Sequence, residues 1–200
     1  MSNKKKKVVE EEIEYYSLDR LLSAKAIYNM VVGERSNGKT FAALVQGLEQ
    51  YLETGKEVAI IRRWKEDIVG NRARAIWDGV VSAGVINELT GGEFEGIHYF
   101  SGRFYLCRYE DGKAVWNEAD LFAYVFALSD GEHNKGVSYP NIGTIIFDEF
   151  ITNKTYLVDE FVIFMNTISN IVRKRTDVTI FMLGNTVNRF NPYFKEMGLH

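Results

Sequence analysis

Two hundred residues, 46% hydrophobic and 26% charged, are enough for one domain with a sizeable core. A net charge of −3 excludes a globally basic nucleic-acid binder and leaves room only for a local basic patch. One cysteine, Cys107, rules out an internal disulfide and suits a reducing compartment.

The chain begins with MSNKKKK, and VVEEEIEYY follows where a secretory signal would carry an apolar core. Residues 1–20 therefore read as a charged, solvated segment of a protein that is not secreted, and residues 21–200 as the folded domain. Ala26, Ile27, Tyr28, Met30, Val31 and Val32 form an apolar run of strand length, interrupted by Asn29. GERSNGKT follows: Gly33, Glu34, Arg35, Ser36, Asn37, Gly38, Lys39 and Thr40. This is the spacing of a phosphate-binding loop. Backbone N–H groups cradle phosphate oxygens, the lysine supplies a point charge at the β/γ-phosphates, and the Thr hydroxyl ligates Mg²⁺. Beyond it Phe41, Leu44, Val45, Leu48 and Leu52 recur at helical spacing up to Gly55. The loop thus joins a strand to a helix N-terminus that favours anions. ATP and Mg²⁺ are the expected ligands.

Val58–Arg62 reads as a second buried strand ending in RRWK, and residues 66–89 as mostly helical. HYFSGRFYLCRY at 98–109 alternates about Ser101-Gly102 and predicts a hairpin, which KAVWNE extends after Asp111-Gly112. LFAYVFAL at 121–128 is strand-sized, and no apolar run reaches the length of a membrane span, so no membrane partner is expected. A polar loop at 129–140 precedes IGTIIFDEF, a strand ending in Asp148 and Glu149. A helix over about 158–172 and the apolar strand VTIFMLGN, ending in Asn185, complete the pattern. Buried strands alternating with helices predict an α/β fold with a mainly parallel central sheet and the hairpin at an edge or as an insertion.

Asp148 and Glu149 emerge at the carboxyl edge of their strand, where open α/β sheets place ligands. An aspartate there can hold Mg²⁺ through water, and a glutamate beside it can act as general base on an attacking water. A kinase would keep water out, so this pairing points to hydrolysis. A guanine-reading motif is absent, since Asn134-Lys135 runs into Gly136-Val137, and ATP is the expected nucleotide. His98, His133 and His200 have no metal-ligand spacing. Asn185 is placed to hydrogen-bond the attacking water or the γ-phosphate, or else serves the turn before Thr186.

With these residues the chain resembles the DNA-packaging motor ATPases of small tailed phages of the phi29 type. These are ring-forming ASCE P-loop ATPases related to terminases and to FtsK/HerA translocases. The matching pieces are GERSNGKT, IIRRWK, SGRFYL, Lys135 with YPN at 139–141, TIIFDEFI, IVRKR at 171–175 and GNTVNRFNPYF at 184–194. The resemblance implies a three-layer P-loop fold and a homopentameric ring on the portal of an empty shell, attached directly or through a packaging RNA. The ring would pump double-stranded DNA inward in the host cytoplasm. Relatives carry a C-terminal nuclease-like domain that these 200 residues lack, so the chain reads as an ATPase region alone. Arg35, within the phosphate loop, is a candidate charge donor that could act only in cis; the resemblance assigns Arg173 as an arginine acting on a neighbour's γ-phosphate, with Arg175 in reserve and Lys135 as a second trans donor. The bland reading of Arg173 and Arg175 is a helix C-terminal charge pair. Lys56, Arg62, Arg63, Lys65, Arg72 and Arg74, with Trp64 among them, are candidates for weak DNA phosphate contacts. A nucleotide-dependent switch or assembly factor that does not move DNA is the alternative function.

Overall fold

A computed structural model describes residues 16–35, 38–131, 139–185 and 190–199. The described residues form an eight-stranded sheet in the order β1-β8-β7-β2-β6-β4-β3, with β5 paired to β4. The strands are β1 (Tyr28–Gly33), β2 (Glu57–Arg62), β3 (Gly96–Phe100), β4 (Arg103–Glu110), β5 (Lys113–Val115), β6 (Leu121–Ala127), β7 (Ile142–Asp148) and β8 (Thr179–Asn185). From β1 to β6 along that order every pairing is parallel. The hairpin β3–β4 joins antiparallel through β6, so it extends the sheet at one edge.

Helices α1 (Asp19–Ser23), α2 (Lys39–Thr54), α3 (Gly70–Arg74), α4 (Asp78–Ser82), α5 (Val85–Leu89), α6 (Glu160–Val172) and α7 (Pro192–Glu196) complete the fold. Alternation along the strands divides the apolar residues into two cores. Val58, Ile60, Ile146 and Phe181 pack with Leu44 and Leu48 of α2 and with Trp77, Val80 and Ile86. Ala59, Ile61, Ile145, Phe147, Ile180 and Met182 pack with Phe164 and Ile168 of α6 and with Tyr193 of α7. Both faces are covered, which is why β7 is buried at every residue and its sequence, IGTIIFD, is mostly apolar before its closing acid. Each large side chain sequestered this way contributes roughly 1.5–3 kcal/mol. Leu18 is 5% exposed in the first core, so the folded unit takes in residues on both sides of position 20.

The turns follow residue chemistry. Ser101 and Gly102 have φ of 48° and 80°, and Asp111 and Gly112 have 49° and 75°. Paired positive φ values are what two-residue hairpin turns require. The stretch expected to be mostly helical after residue 65 is a broken series: a 3-10 turn at 65–68, then α3, a second 3-10 turn at 75–77, α4 and α5. Gly70 and Gly84, at φ 57° and 74°, punctuate it.

Gly184 has a different reason. A Cβ there would lie 2.9 Å from Ile151 Cδ1 and 2.9 Å from Phe150 Cε1, side chains that pack beneath the loop leaving β7. Gly184→Ala is therefore expected to destabilise the fold by about 1–3 kcal/mol, the range for overpacking a dense core. Urea unfolding checks this, and an unchanged midpoint would contradict the packing described.

Candidate nucleotide and magnesium site

β1 ends at Gly33, and α2 starts at Lys39 behind Gly38, whose φ of 81° turns the chain into the helix. The helix N-cap makes no side-chain hydrogen bond, and its first turn contains no acidic residue. The dipole of such a helix start favours an anion, and no acidic side chain in the first turn opposes one. Lys39 is 5% exposed. Its Nζ donates to the carbonyls of Gly33 (3.2 Å) and Glu34 (2.6 Å) and to Asn185 Oδ1 (3.4 Å). Burial lowers its pKa, and the charge of Asp148 partly offsets that.

β7 delivers the acids from the neighbouring side. Thr40 Oγ1 donates to Asp148 Oδ1 at 3.0 Å, joining the phosphate loop to the end of β7. The N–H of Glu149 donates to the same oxygen at 3.0 Å, and Arg62 Nη2 pairs with Asp148 Oδ2 at 3.0 Å. Arg62 Nε is buried with no hydrogen-bond partner among the described residues. Glu149 itself is exposed at φ 59°, a left-handed conformation uncommon outside glycine.

These groups line a cavity of roughly 350 Å³ together with Arg35, Phe41 and Leu183. That size suits a small-molecule ligand. It lies at the carboxyl ends of β1, β8 and β7, where the chain has crossed from β1 through α2 to β2 and left room for β7 and β8 between them. A hydroxyl and a carboxylate 3.0 Å apart are hard oxygen donors of the kind that hold Mg²⁺ beside phosphates and water. A helix N-terminus with a buried lysine suits the phosphates themselves. The residues present fit Mg²⁺ and a nucleoside triphosphate.

Of the residues expected from sequence, Gly33, Gly38, Lys39, Thr40, Asp148, Glu149 and Asn185 meet here, with Arg35 on the rim and Glu34 contributing its carbonyl. Ser36, Asn37 and Lys135 lie outside the described residues. Arg173 and Arg175 sit at the other end of the sheet. Arg175 Nη2 donates to the carbonyl of Ile142, the first residue of β7, whereas Asp148 is the last. At about 3.3 Å per residue that is roughly 20 Å from the chain's own cavity.

The set of DNA-contact candidates divides. Arg63 is 6% exposed and ion-paired to Glu160 at 2.7 Å, so it is not a phosphate contact. Lys56 lies before β2, at the sheet's amino edge, paired with Asp177. Lys65 pairs with Asp130, and Arg72 with Asp67, at the carboxyl edge on exposed surface. Sequence reasoning missed the tie of Arg62 to Asp148, for which the only signal is an arginine closing a strand beside the acidic one.

Residues 11–199 match the family described as Podovirus DNA encapsidation protein (Gp16). The chain is 29% identical over 183 residues to the DNA packaging protein of Bacillus phage phi29, covering 90% of this chain and 49% of that protein. It thus spans about half the length of that relative. Among solved structures, the N-terminal domain of the DNA packaging ATPase from bacteriophage phi29 superposes with a TM-score of 0.74 at 28% identity, covering 92% of this chain and 86% of that one. A chain of the bacteriophage phi29 viral genome packaging motor assembly superposes with a TM-score of 0.72 at 28% identity, covering 93% and 51%.

Proposed function

The chain belongs to the Podovirus DNA encapsidation protein (Gp16) family, and from that membership and the pocket we propose that it is the ATP-hydrolysing part of a double-stranded-DNA packaging motor. The observation that carries this reading is the 3.0 Å contact of Thr40 with Asp148 at a phosphate loop, with Glu149 beside it on the cavity wall. In it the phosphates lie on the N-terminus of α2, and Lys39 leaves the loop carbonyls for the β/γ-phosphates. Thr40 and Asp148 would hold Mg²⁺, which when bound would supply positive charge against that developing on the transferred phosphoryl group. Glu149 takes the proton of the attacking water, and Asn185, already at 3.4 Å from Lys39, orients that water or the γ-phosphate. A glutamate of this kind next to the Mg²⁺-holding aspartate is the ASCE arrangement.

Arg173 enters from another copy. Its place at the far end of the sheet puts it beyond reach of its own cavity, so in this reading it serves the γ-phosphate of a neighbour in a ring, while Arg35 on the rim is the arginine positioned to act in cis. An arginine also occupies the left-handed cap of α6, at φ 45°, where glycine is favoured. That choice supports a role for the side chain itself. The ring, a homopentamer in this reading, sits on the portal of a viral shell in the host cytoplasm, directly or through a packaging RNA. Exposed Lys65 and Arg72 make weak contacts to DNA phosphates. Phosphate release measured with and without double-stranded DNA tests the reading. Hydrolysis stimulated by DNA and by rising protein concentration is expected. Hydrolysis indifferent to both would favour a nucleotide switch instead.

A further inference from the structure

The left-handed turn at Glu149 is held by a buried network that begins at Arg63, just past the end of β2, and ends on α7. Arg63 Nη1 donates to the carbonyl of Glu149 at 3.1 Å, and Nη2 donates to the carbonyl of Phe150 at 2.9 Å. The same guanidinium forks onto Glu160, Nε to Oε2 at 2.7 Å and Nη2 to Oε1 at 2.9 Å. Glu160 is 1% exposed. It also accepts the hydroxyl of Tyr193 at 2.7 Å and the N–H of Leu157 at 2.9 Å. The Arg63 guanidinium lies 5.0 Å from the Tyr156 ring centroid, which fixes its plane. On the other side of the turn, the N–H of Phe150 donates to the carbonyl of Leu183 at 3.1 Å.

A non-glycine residue stays at positive φ only where its surroundings over-determine it, and such strain gathers at working sites. Here Arg63 and β8 grip the peptide groups that follow the Glu149 side chain, and neither touches its carboxylate. Burying the Arg63–Glu160 pair is costly unless each charge is fully bonded. Tyr193 supplies one of those bonds from a helix remote in sequence from both. Burial, with the charge of Glu160, pushes the Tyr193 phenol up, so it remains a donor. Asn191 starts α7 by accepting the N–H of Phe194 at 3.0 Å, and Pro192 follows it. The Asn-Pro-Tyr-Phe run is thus a short helix built to present Tyr193 to Glu160.

We propose that Arg63, clamped by Glu160 and Tyr193, is the positioning residue for Glu149, so that the seating of α7 sets the rate of hydrolysis. This rests on the reading of Glu149 as general base. A carboxylate that drifts by about 1 Å from its productive position can lose on the order of 10²-fold in rate. Release of the clamp is therefore a means of turning hydrolysis down without emptying the nucleotide pocket.

Turnover, affinity for a non-hydrolysable ATP analogue and melting temperature are measured for Tyr193→Phe, Arg63→Lys and Glu149→Gln, and for each of the first two combined with the third. Tyr193→Phe keeps the packed ring and removes one bond to a charged group. A loss of about tenfold in kcat is expected. Arg63→Lys keeps the charge and loses the fork, with an expected loss of about 10²-fold. In both, analogue affinity stays at the parent value. In the Glu149→Gln background neither change lowers the residual single-turnover rate further, because the group they position is already gone. A merely structural role would lower that residual rate by the same factor, or lower affinity in step with kcat, and either result overturns the proposal. Should Arg63→Lys fail to fold, Tyr193→Phe carries the test, and its turnover at the parent rate overturns the proposal. Glu149→Gln turning over at the parent rate overturns the reading of Glu149, and the proposal with it.

Discussion

Lys39→Ala is expected to weaken ATP binding by about 10²-fold or more while leaving the fold intact. The loss follows from removing the buried ammonium that the proposed site turns to the phosphates, since bonds to charged groups are worth about 1.5–3 kcal/mol each. The fold survives because Lys39 packs no apolar core. Its Nζ bonds two loop carbonyls and Asn185 in the free protein, and its ammonium is held there against a desolvation penalty. The same penalty predicts a pH dependence. With its pKa lowered by burial, Lys39 loses its proton at a lower pH than a solvated lysine does. ATP binding needs the ammonium, so affinity falls as pH rises through that lowered pKa. Titration of a fluorescent ATP analogue at neutral and alkaline pH checks both claims. Parent-like affinity of Lys39→Ala, or an affinity flat with pH, would contradict them.

The two acids at the end of β7 are expected to separate binding from chemistry. Glu149→Gln keeps the shape and exposure of the side chain but cannot take a proton, so nucleotide stays bound and turnover falls by about 10²–10⁴-fold. Asp148→Asn acts through the metal. Asp148 accepts from Thr40 and from the Glu149 N–H and pairs with Arg62, three positive or donor groups that its charge balances. Neutralising it removes the Mg²⁺-dependent part of ATP affinity and leaves the Mg²⁺-independent part. It also leaves Arg62, only partly exposed, without its counter-charge, so a drop in melting temperature accompanies the loss. Titrations of ATP with and without Mg²⁺, beside turnover, distinguish the two variants. Identical behaviour would refute the division of roles.

Most of the site is legible in the sequence because its parts are local. Gly33 to Thr40 carry their own spacing, and Asp148 and Glu149 follow a strand-length, mostly apolar run, IGTIIF, of the kind that suits a strand covered on both faces. The hairpins are legible for the same reason: Ser101-Gly102 and Asp111-Gly112 have the chemistry that their turns need. What stays hidden are pairings made at long range. An arginine at the end of a strand looks like a surface cation until the fold brings Glu160 beside it from 97 positions away. Arg62 and Arg63 are adjacent and chemically alike, yet one reaches Asp148 and the other Glu160, because successive residues along an extended chain point to opposite faces. The segment after residue 65 misleads in another way. Its apolar residues keep a helical rhythm, but Gly70 and Gly84 sit at positive φ and divide it into short pieces. The position of Arg173 opposite the cavity is likewise a property of the helix that turns back along β7, and spacing alone gives no sign of it.

The most direct test of the account is to mix subunits. Arg173→Ala keeps Glu149 and a complete pocket but cannot serve a neighbour, and Glu149→Gln keeps Arg173 but cannot hydrolyse. Each protein alone is expected to be inactive under ring-forming conditions. In the mixture, a pocket of the first faces Arg173 of the second, and phosphate release returns in proportion to such junctions. An arginine supplied in trans is worth roughly 10³–10⁵ in rate in comparable phosphoryl transfer, so the recovery stands far above background. Arg173→Ala turning over at the parent rate by itself, with no gain on mixing, would contradict a motor whose subunits complete one another's sites.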